Sequence, residues 1–323
     1  IENLPPPGPS VKSWCREGVQ HEKVEAGEDS WPAISVITPS YNQAGYLEET
    51  IRSVLLQGYP NLEYLVIDGG SDDGSVEILK KYDKWIDYWV SEPDEGQTQA
   101  INKGVRKAGG DWIIYINSDD ILYPGALLKA GRKAREHPQA TWIAGATQVF
   151  GADENYNIKK PDTEGIDNPG NWISYAVHVP QHSSFVKREV YEKLGDYDED
   201  LQYVFDLEFG LRLGLNGLKP VVIDEILAGF RIHDNSKTEQ SRLPFLREQL
   251  KLIEKYKHAM NPDSIKDTRR ALHAMIASNT IYDSLKTDSP TSGTILKAAL
   301  KAISIDSGII TKRHFWGALK QIL

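Results

Sequence analysis

Apolar positions recur along the first 120 residues in two rhythms that take turns. Ile34-Ser35-Val36-Ile37 is a short apolar run closed by Pro39, and it reads as a strand. Leu47, Ile51, Val54 and Leu55 follow at helical spacing and predict a helix over roughly 46–57. Glu63–Asp68 (EYLVID) is a second buried strand, ended by Gly69-Gly70, and Ser75–Tyr82 a second helix. Asp87–Val90 predicts a third strand, Thr98–Lys107 a helix, and Trp112–Ile116 (WIIYI) a fourth strand. Strands alternating with helices of about a dozen residues imply an α/β fold, a mostly parallel sheet with helices on its faces. Ligands bind such sheets beyond the carboxyl ends of the strands. The segments after Ile37, Ile67 and Ile116 are therefore the places to look for chemistry.

The second half is less regular. Trp142–Phe150 and Leu218–Ile223 read as strands and Lys187–Leu194 as a short helix. Over 206–215 the pattern is two-sided. Leu207, Phe209, Leu211, Leu213 and Leu215 alternate as in a strand, while Leu207, Gly210, Leu211 and Gly214 form a helical stripe. From about 240 the pattern is helical, with a Pro-Thr-Ser-Gly break at 290–293. Residues 1–33, rich in Pro, Gly and charge, read as an extension that packs poorly or wraps a neighbour. The first residue is Ile, not Met, as in a chain trimmed or cut from a longer one.

Composition narrows the function classes. With 40% hydrophobic and 26% charged residues, the chain of 323 residues has the make-up of a water-soluble globular protein. Its net charge of −9 lacks the basic footprint of a nucleic-acid binder. Cys15 is the lone cysteine, in keeping with a reducing, cytoplasmic setting. No run of 18 apolar residues exists to span a membrane, and residues 1–10 lack the pattern of a signal peptide. The stretch 286–323 departs from this balance: six Lys/Arg against two Asp give it a net charge of +4. Leu296, Ala299, Leu300 and Ile303 could form one helical face there, and Phe315, Trp316, Leu319 and Ile322 another. Such helices either cap the catalytic domain or lie peripherally on an anionic membrane face.

Three segments carry candidate chemistry. Asn117-Ser118-Asp119-Asp120 puts two carboxylates at the exit of a buried strand. That is costly unless a cation sits there, although the same residues are good turn formers. Asp68-Gly69-Gly70-Ser71-Asp72-Asp73-Gly74 lets a ligand approach the backbone before a helix N-terminus, or is a plain acidic connection. It lacks the G-x-G-x-x-G spacing of a dinucleotide site. Thr38-Pro39-Ser40-Tyr41-Asn42 supplies hydroxyls and an aromatic face suited to a nucleobase, or simply ends a strand.

Together, and in this order, the segments resemble glycosyltransferase family 2 of the bacterial polysaccharide type, inverting enzymes of the GT-A fold. The resemblance runs over roughly 34–235. It rests on ISVITPSYNQAGYLEETIRSVLLQ, LEYLVIDGGSDDGS, SEPDEGQTQAINKGVRKAGGDWIIYINSDD, QHSSFVKREVYEKLGDYDED, FDLEFGLRL and FRIHDNS. It implies a catalytic domain over 34–239, with a nucleotide-sugar half (34–120) and an acceptor half (121–239), then a helical region over 240–323. It also implies that 206–215 is helical. Thr38, Pro39 and Tyr41 would surround the base, and Asp68 would accept a hydrogen bond from it. Gln97 and Asn102 would line the donor pocket, and Asp119 would face the donor ribose or sugar. Asp120, with His233, would hold a divalent Mn²⁺ or Mg²⁺ bridging the diphosphate. Gln181 and His182 would touch the acceptor, a saccharide or lipid-linked saccharide. Asp206 would be the catalytic base, with Glu208, on the order of 200° around a helix, as runner-up.

The chain departs from the family pattern at Phe205, where Glu is frequent, at Gly69, where a second Asp is frequent, and at Gln99, which replaces Asp. The competing functions are a nucleotidyltransferase that makes the sugar nucleotide and a binder without turnover. The first expects a basic glycine-rich loop where Thr38–Asn42 stands.

Overall fold

The computed structural model describes residues 4–11, 13–16, 31–151, 157–285 and 300, so most of the basic stretch 286–323 lies outside the described residues. Contacts divide the chain into two units. One comprises 1–164 and 177–232, the other 165–176 and 233–323.

The first unit opens as the periodicity predicts. β1 (Ile34–Ser40), α1 (Leu47–Leu55), β2 (Leu62–Asp68), α2 (Ser75–Tyr82), β3 (Tyr88–Ser91), α3 (Gln97–Lys107) and β4 (Trp112–Tyr115) follow one another. β1 pairs in parallel with both β2 and β4, and β3 adds in parallel to β2. Then come β5 (Ile121–Leu122), α4 (Ala126–Glu136), β6 (Trp142–Gly151) and β7 (Ile158–Lys159). In the second unit lies α5 (Pro169–Ile173). β8 (Ser184–Lys187), α6 (Arg188–Leu194), α7 (Phe205–Leu215) and β9 (Val221–Ile232) complete the first unit. The strand order is β3-β2-β1-β4-β8-β6-β9-β5, with β7 hung on β6. β8 runs antiparallel to β4 and β6, while β6 and β9 are parallel. The sheet is therefore mostly parallel with helices on its faces, the fold class expected.

The core follows from strand alternation. Val36, Tyr64, Val66 and Ile114 project to one face and meet Leu47, Ile51 and Val54 of α1 and Leu79 of α2. α3 covers the opposite face, with Ile101 and Val105 buried. Gly104 permits this close approach: a Cβ there would lie 2.4 Å from Ile37 Cγ2. α7 explains the ambiguity over 206–215, because Leu207, Glu208, Phe209, Gly210, Leu211, Leu213 and Gly214 are all buried. A helix enclosed on nearly every side leaves no polar stripe to reveal its period.

Of the two expectations for the N-terminal extension, poor packing or wrapping a neighbour, its described part does not pack poorly. Arg52 donates from Nε to the Cys15 carbonyl at 2.6 Å and from Nη1 to the Pro5 carbonyl at 2.9 Å. Glu48 accepts from the Gly8 N–H, and Val11 and Cys15 are buried. The extension is a strap on α1, held by charged groups whose partners are backbone atoms.

The second unit also holds α8 (Lys237–Gln240), α9 (Leu243–Tyr256) and α10 (Pro262–Leu285). Leu252, Ile253, Leu272 and Ile276 are buried there, and Gln249 Nε2 donates to the Ile173 carbonyl at 2.8 Å. Among the described residues no helix is long and apolar enough to cross a membrane.

Replacing Gly104 by Val should overpack the α3–β1 contact. We expect a loss of about 1–3 kcal/mol of stability, read as a lowered urea midpoint at unchanged slope.

Candidate active site

The carboxyl ends of β1, β2, β3 and β4 bring four loops to one edge of the sheet. Asp68 ends β2, and its enclosed carboxylate is fully engaged. Oδ2 accepts from the Gly70 and Ser71 N–H groups at 3.1 and 2.9 Å and from Ser91 Oγ at 2.7 Å. Oδ1 accepts from Ser71 Oγ at 2.6 Å. Asp68 thus closes the glycine turn on itself and ties it to β3. At Gly69 a Cβ would fall 2.8 Å from Asp94 Oδ2, so an Asp at this position would displace the Asp94 carboxylate. Burial first, with the neighbouring Asp68 adding to it, raises the Asp94 carboxyl above its ordinary range against the Gly96 N–H, which lowers it.

The β1 loop separates inward from outward residues. Thr38 is buried, with its hydroxyl 3.1 Å from Tyr64 OH, and Pro39 is enclosed in the strand. Tyr41 stands 62% exposed. Asn42 takes a left-handed conformation (φ 51°) and accepts from the Asp72 N–H at 3.0 Å, joining the first two loops.

The Asn117–Asp120 turn is the most heavily braced segment. Asp120 is fully buried. Its Oδ1 accepts from the Arg231 N–H at 2.8 Å and its Oδ2 from Asn117 Nδ2 at 2.9 Å. Its carbonyl accepts from Thr50 Oγ1 at 2.7 Å. Gln97 Nε2 donates to Asn117 Oδ1 at 2.7 Å, linking the start of α3 to this turn. Burial first and Asp119 second push the Asp120 carboxyl well above its usual range, and the hydrogen bonds and Arg231 pull against that rise. Asp119 is half-buried, and its carbonyl accepts from Arg231 Nε at 2.7 Å.

Just before β8, Gln181 Nε2 donates to the Tyr115 carbonyl at 2.7 Å and so caps β4. His182 brings Nε2 to 3.4 Å from Asp120 Oδ2 and lays its ring 4.7 Å from that of Phe230. Burial, reinforced by Lys159, lowers its pKa to about 3, so the imidazole is neutral at pH 7. Asn102 is inward as well. Nδ2 donates to the Tyr197 carbonyl and to Glu199 Oε1, and Oδ1 accepts from the Tyr197 N–H. It cross-links α3 to the segment before α7.

α7 presents two carboxylates in unlike settings. Asp206, in the first turn, is exposed, and its Oδ1 accepts from the Leu207 N–H at 2.8 Å. Glu208 is fully buried and pairs with Arg212 at 3.0 Å. Arg212 also donates to the Leu194 and Asp196 carbonyls. Tyr115, at the end of β4, joins this region to the Asp119–Asp120 turn. Its hydroxyl resists ionisation because it is buried, and because Asp206, Tyr191 and Asp120 all add to the cost. The two aspartates expected to share the chemistry therefore act on one ring. His233 opens the second unit, where its N–H donates to Ser236 Oγ at 3.0 Å.

Among the described residues no group of three or more His, Cys, Asp or Glu side chains is gathered around a common point. A metal whose remaining ligands come from a diphosphate and water needs only one or two carboxylates from the protein. The Asp119–Asp120 pair, with one member raised by the other, is chemically suited to such an ion. Asn117 entered the sequence reading only as part of its turn, and Arg231, Glu49 and Tyr115 only within longer segments, none with a role of its own. Each is made relevant by contacts across the fold, and for Arg231 and Glu49 no local pattern announces them.

Comparison with known proteins gives the class and then the family. The profile of glycosyl transferase family 2 matches residues 35–195. The uncharacterized glycosyltransferase Rv1514c of Mycobacterium tuberculosis is 32% identical over 205 residues, which is 62% of this chain and 76% of that protein. The putative teichuronic acid biosynthesis glycosyltransferase TuaG of Bacillus subtilis is 41% identical over 93 residues, 28% of this chain and 36% of its own length. S. aureus TarS 1-349 in complex with UDP-GlcNAc shares the fold with a TM-score of 0.58 at 17% identity, covering 89% of this chain and 87% of that one. Mannosyltransferase PcManGT from Pyrobaculum calidifontis, in complex with GDP-Man and Mn²⁺, gives 0.55 at 17% identity, covering 91% and 87%. The chain spans 49% of a longer S. aureus TarS chain. The fold is that of a GT-A glycosyltransferase. The chain belongs to glycosyl transferase family 2.

The depressed pKa of His182 has a thermodynamic consequence. The unfolded chain binds this proton below about pH 6.5, whereas the folded protein does so only near about pH 3. Its contribution to stability is therefore present above pH 6.5 and is lost as pH falls towards 3. In His182→Asn the loss of stability between pH 6.5 and 4 should be smaller than in the wild type, measured by urea denaturation across that range.

Proposed function

We propose that this protein is an inverting, metal-dependent glycosyltransferase. It moves a sugar from a nucleoside diphosphate, UDP foremost, to a hydroxyl of a saccharide or lipid-linked saccharide. The observation that best supports the reading is that one buried hydroxyl, that of Tyr115, is made harder to ionise by both Asp206 and Asp120. UDP-GlcNAc in TarS and GDP-Man with Mn²⁺ in PcManGT support a nucleotide-sugar donor.

In this mechanism the exposed ring of Tyr41 offers the nucleobase a face, with Thr38 and Pro39 shaping the strand beneath it. Asp68 acts chiefly by holding the second loop, since both its oxygens are engaged. Gln97 and Asn102 act in the same way, one bracing Asn117 and the other the approach to α7. We assign the cation to Asp119 in place of Asp120, which the resemblance implied, because Asp119 is half-exposed and Asp120 is fully buried. A divalent ion held by Asp119 would supply Lewis-acid stabilisation of the departing diphosphate.

Asp206 supplies the base. The acceptor oxygen attacks the anomeric carbon as the bond from that carbon to the diphosphate oxygen breaks, and the hydroxyl proton passes to the Asp206 carboxylate. The Leu207 N–H fixes Asp206 Oδ1 and so orients the group. Glu208 is excluded from this role by its buried pair with Arg212. Neutral His182 beside Asp120 is suited to hydrogen-bond an acceptor hydroxyl, and Gln181 positions it by capping β4.

Asp206→Asn should lower UDP release from UDP-sugars with an acceptor panel by on the order of 10²–10⁴-fold while leaving UDP affinity unchanged. Asp119→Asn should instead weaken UDP binding in Mn²⁺ and leave it unaltered in EDTA. Titration calorimetry separates the two. Loss of UDP binding in Asp206→Asn would make that residue a donor ligand and not the base.

A further inference from the structure

We infer that Arg231 is a positioning residue for the metal-binding turn, fixing Asp119 and Asp120 before any ion arrives. The inference rests on the proposed cation site at Asp119.

Arg231 donates through three separate groups, two of them to the turn and one to α1. Its backbone N–H donates to Asp120 Oδ1 at 2.8 Å, and its Nε donates to the Asp119 carbonyl at 2.7 Å. Its Nη2 donates to Glu49 Oε2 at 2.7 Å, on a carboxylate only 3% exposed. The guanidinium lies between two rings, 5.2 Å from that of Tyr46 and 4.5 Å from that of Phe150. Thr50, next to Glu49 on α1, donates to the Asp120 carbonyl. One side chain near the end of β9 thereby joins the Asp119–Asp120 turn to the start of α1.

The charges explain why an arginine suits this place. Arg231 sets one guanidinium against the buried Glu49 carboxylate and the Asp119 carbonyl, while its backbone N–H meets Asp120 Oδ1. Arginine presents donors in a rigid planar fork and stacks on aromatic faces, whereas a lysine ammonium reaches one point at a time. Only the fork can hold the Asp119 carbonyl and Glu49 together. Groups that support metal ligands from behind typically change metal affinity by about 10–100-fold when removed.

The test uses the full chain and Arg231→Gln, Arg231→Lys and Glu49→Gln. UDP and GDP binding is titrated with Mn²⁺ and in EDTA. Amide hydrogen exchange of the segment 117–122 is followed without metal, with α3 as internal reference. In Arg231→Gln the gain in nucleotide affinity conferred by Mn²⁺ should shrink on the order of tenfold. Exchange over 117–122 should quicken while that of α3 does not change. Arg231→Lys should restore part of both, and Glu49→Gln should move both in the direction of Arg231→Gln by less. Folded variants with a lowered melting temperature but the wild-type Mn²⁺ gain and exchange would overturn the inference and leave Arg231 a packing residue. A wild-type protein that binds neither nucleotide would sink the proposed function instead, and the exchange comparison would still decide whether Arg231 orders the turn.

Discussion

A carboxylate enclosed at the end of a buried strand must be met by hydrogen-bond donors, by a positive charge, or by a proton. Asp120 is such a group, and much of the surrounding architecture answers it. Asn117 supplies an amide, Arg231 a backbone N–H and a nearby charge, and Thr50 fixes the carbonyl behind it. Those partners come from the turn itself, from β9 and from α1, so the carboxylate can be buried only once the sheet has brought all three together. The strand order places β9 far from β4 along the sheet, yet β5, which follows the turn, pairs directly with β9. That short strand brings Arg231 to Asp120. It is also why two residues of strand matter more to the site than their length suggests.

The same logic separates the acidic residues that hold the fold from those proposed for chemistry. Asp206 and Glu208 are two positions apart on α7, but one is exposed and the other is sealed against Arg212. A change of either in sequence would look equivalent; in the structure the buried one would leave an unpaired guanidinium. Glu48 and Glu49 on α1 make the point again, as both are almost completely buried and both have basic partners. Charge on this protein is thus no guide to exposure, despite the overall acidic balance.

The alternation of strand and helix up to Ile116 was legible because each element there buries one clear face and ends at a Pro, a Gly or an acidic turn. The segment 206–215 was not legible from periodicity, since α7 is enclosed nearly all round, and only its likeness to a family decided it. β5, with two residues, and β8, with four, are too short to carry a period. α4 drew no expectation although Leu127, Leu128, Ala130 and Ala134 face inward, because an alanine-rich stripe interrupted by Lys and Arg contrasts weakly with its polar face. The positions of the candidate site residues were legible through motif order, but which way each points was not. Thr38, Asn102 and Asp68 sit where the family resemblance puts donor-binding groups, and each instead turns at least part of its polar capacity to a neighbouring loop. Arg231 and Glu49, 182 residues apart, could be joined only by the folded chain.

This inward use of polar residues bears on how one fold can serve several donors. TarS and PcManGT share the architecture at 17% identity, one in complex with UDP-GlcNAc and the other with GDP-Man. A scaffold common to both cannot by itself choose the nucleotide. In the present chain the residues that brace the loops, among them Asp68, Asn102, Asn117 and Arg231, are committed to neighbouring protein groups. Their demands are geometric and would be met alike whatever base is bound. Under the proposed function, selection would rest on less enclosed groups of these loops, such as Tyr41, Asp94 and Asp119. Among these Asp94 is distinctive: Gly69 leaves it room, and its carboxyl is less acidic than usual. Rigidity behind and variability in front is a division that lets substrate preference change without rebuilding the turn on which the diphosphate chemistry is proposed to depend.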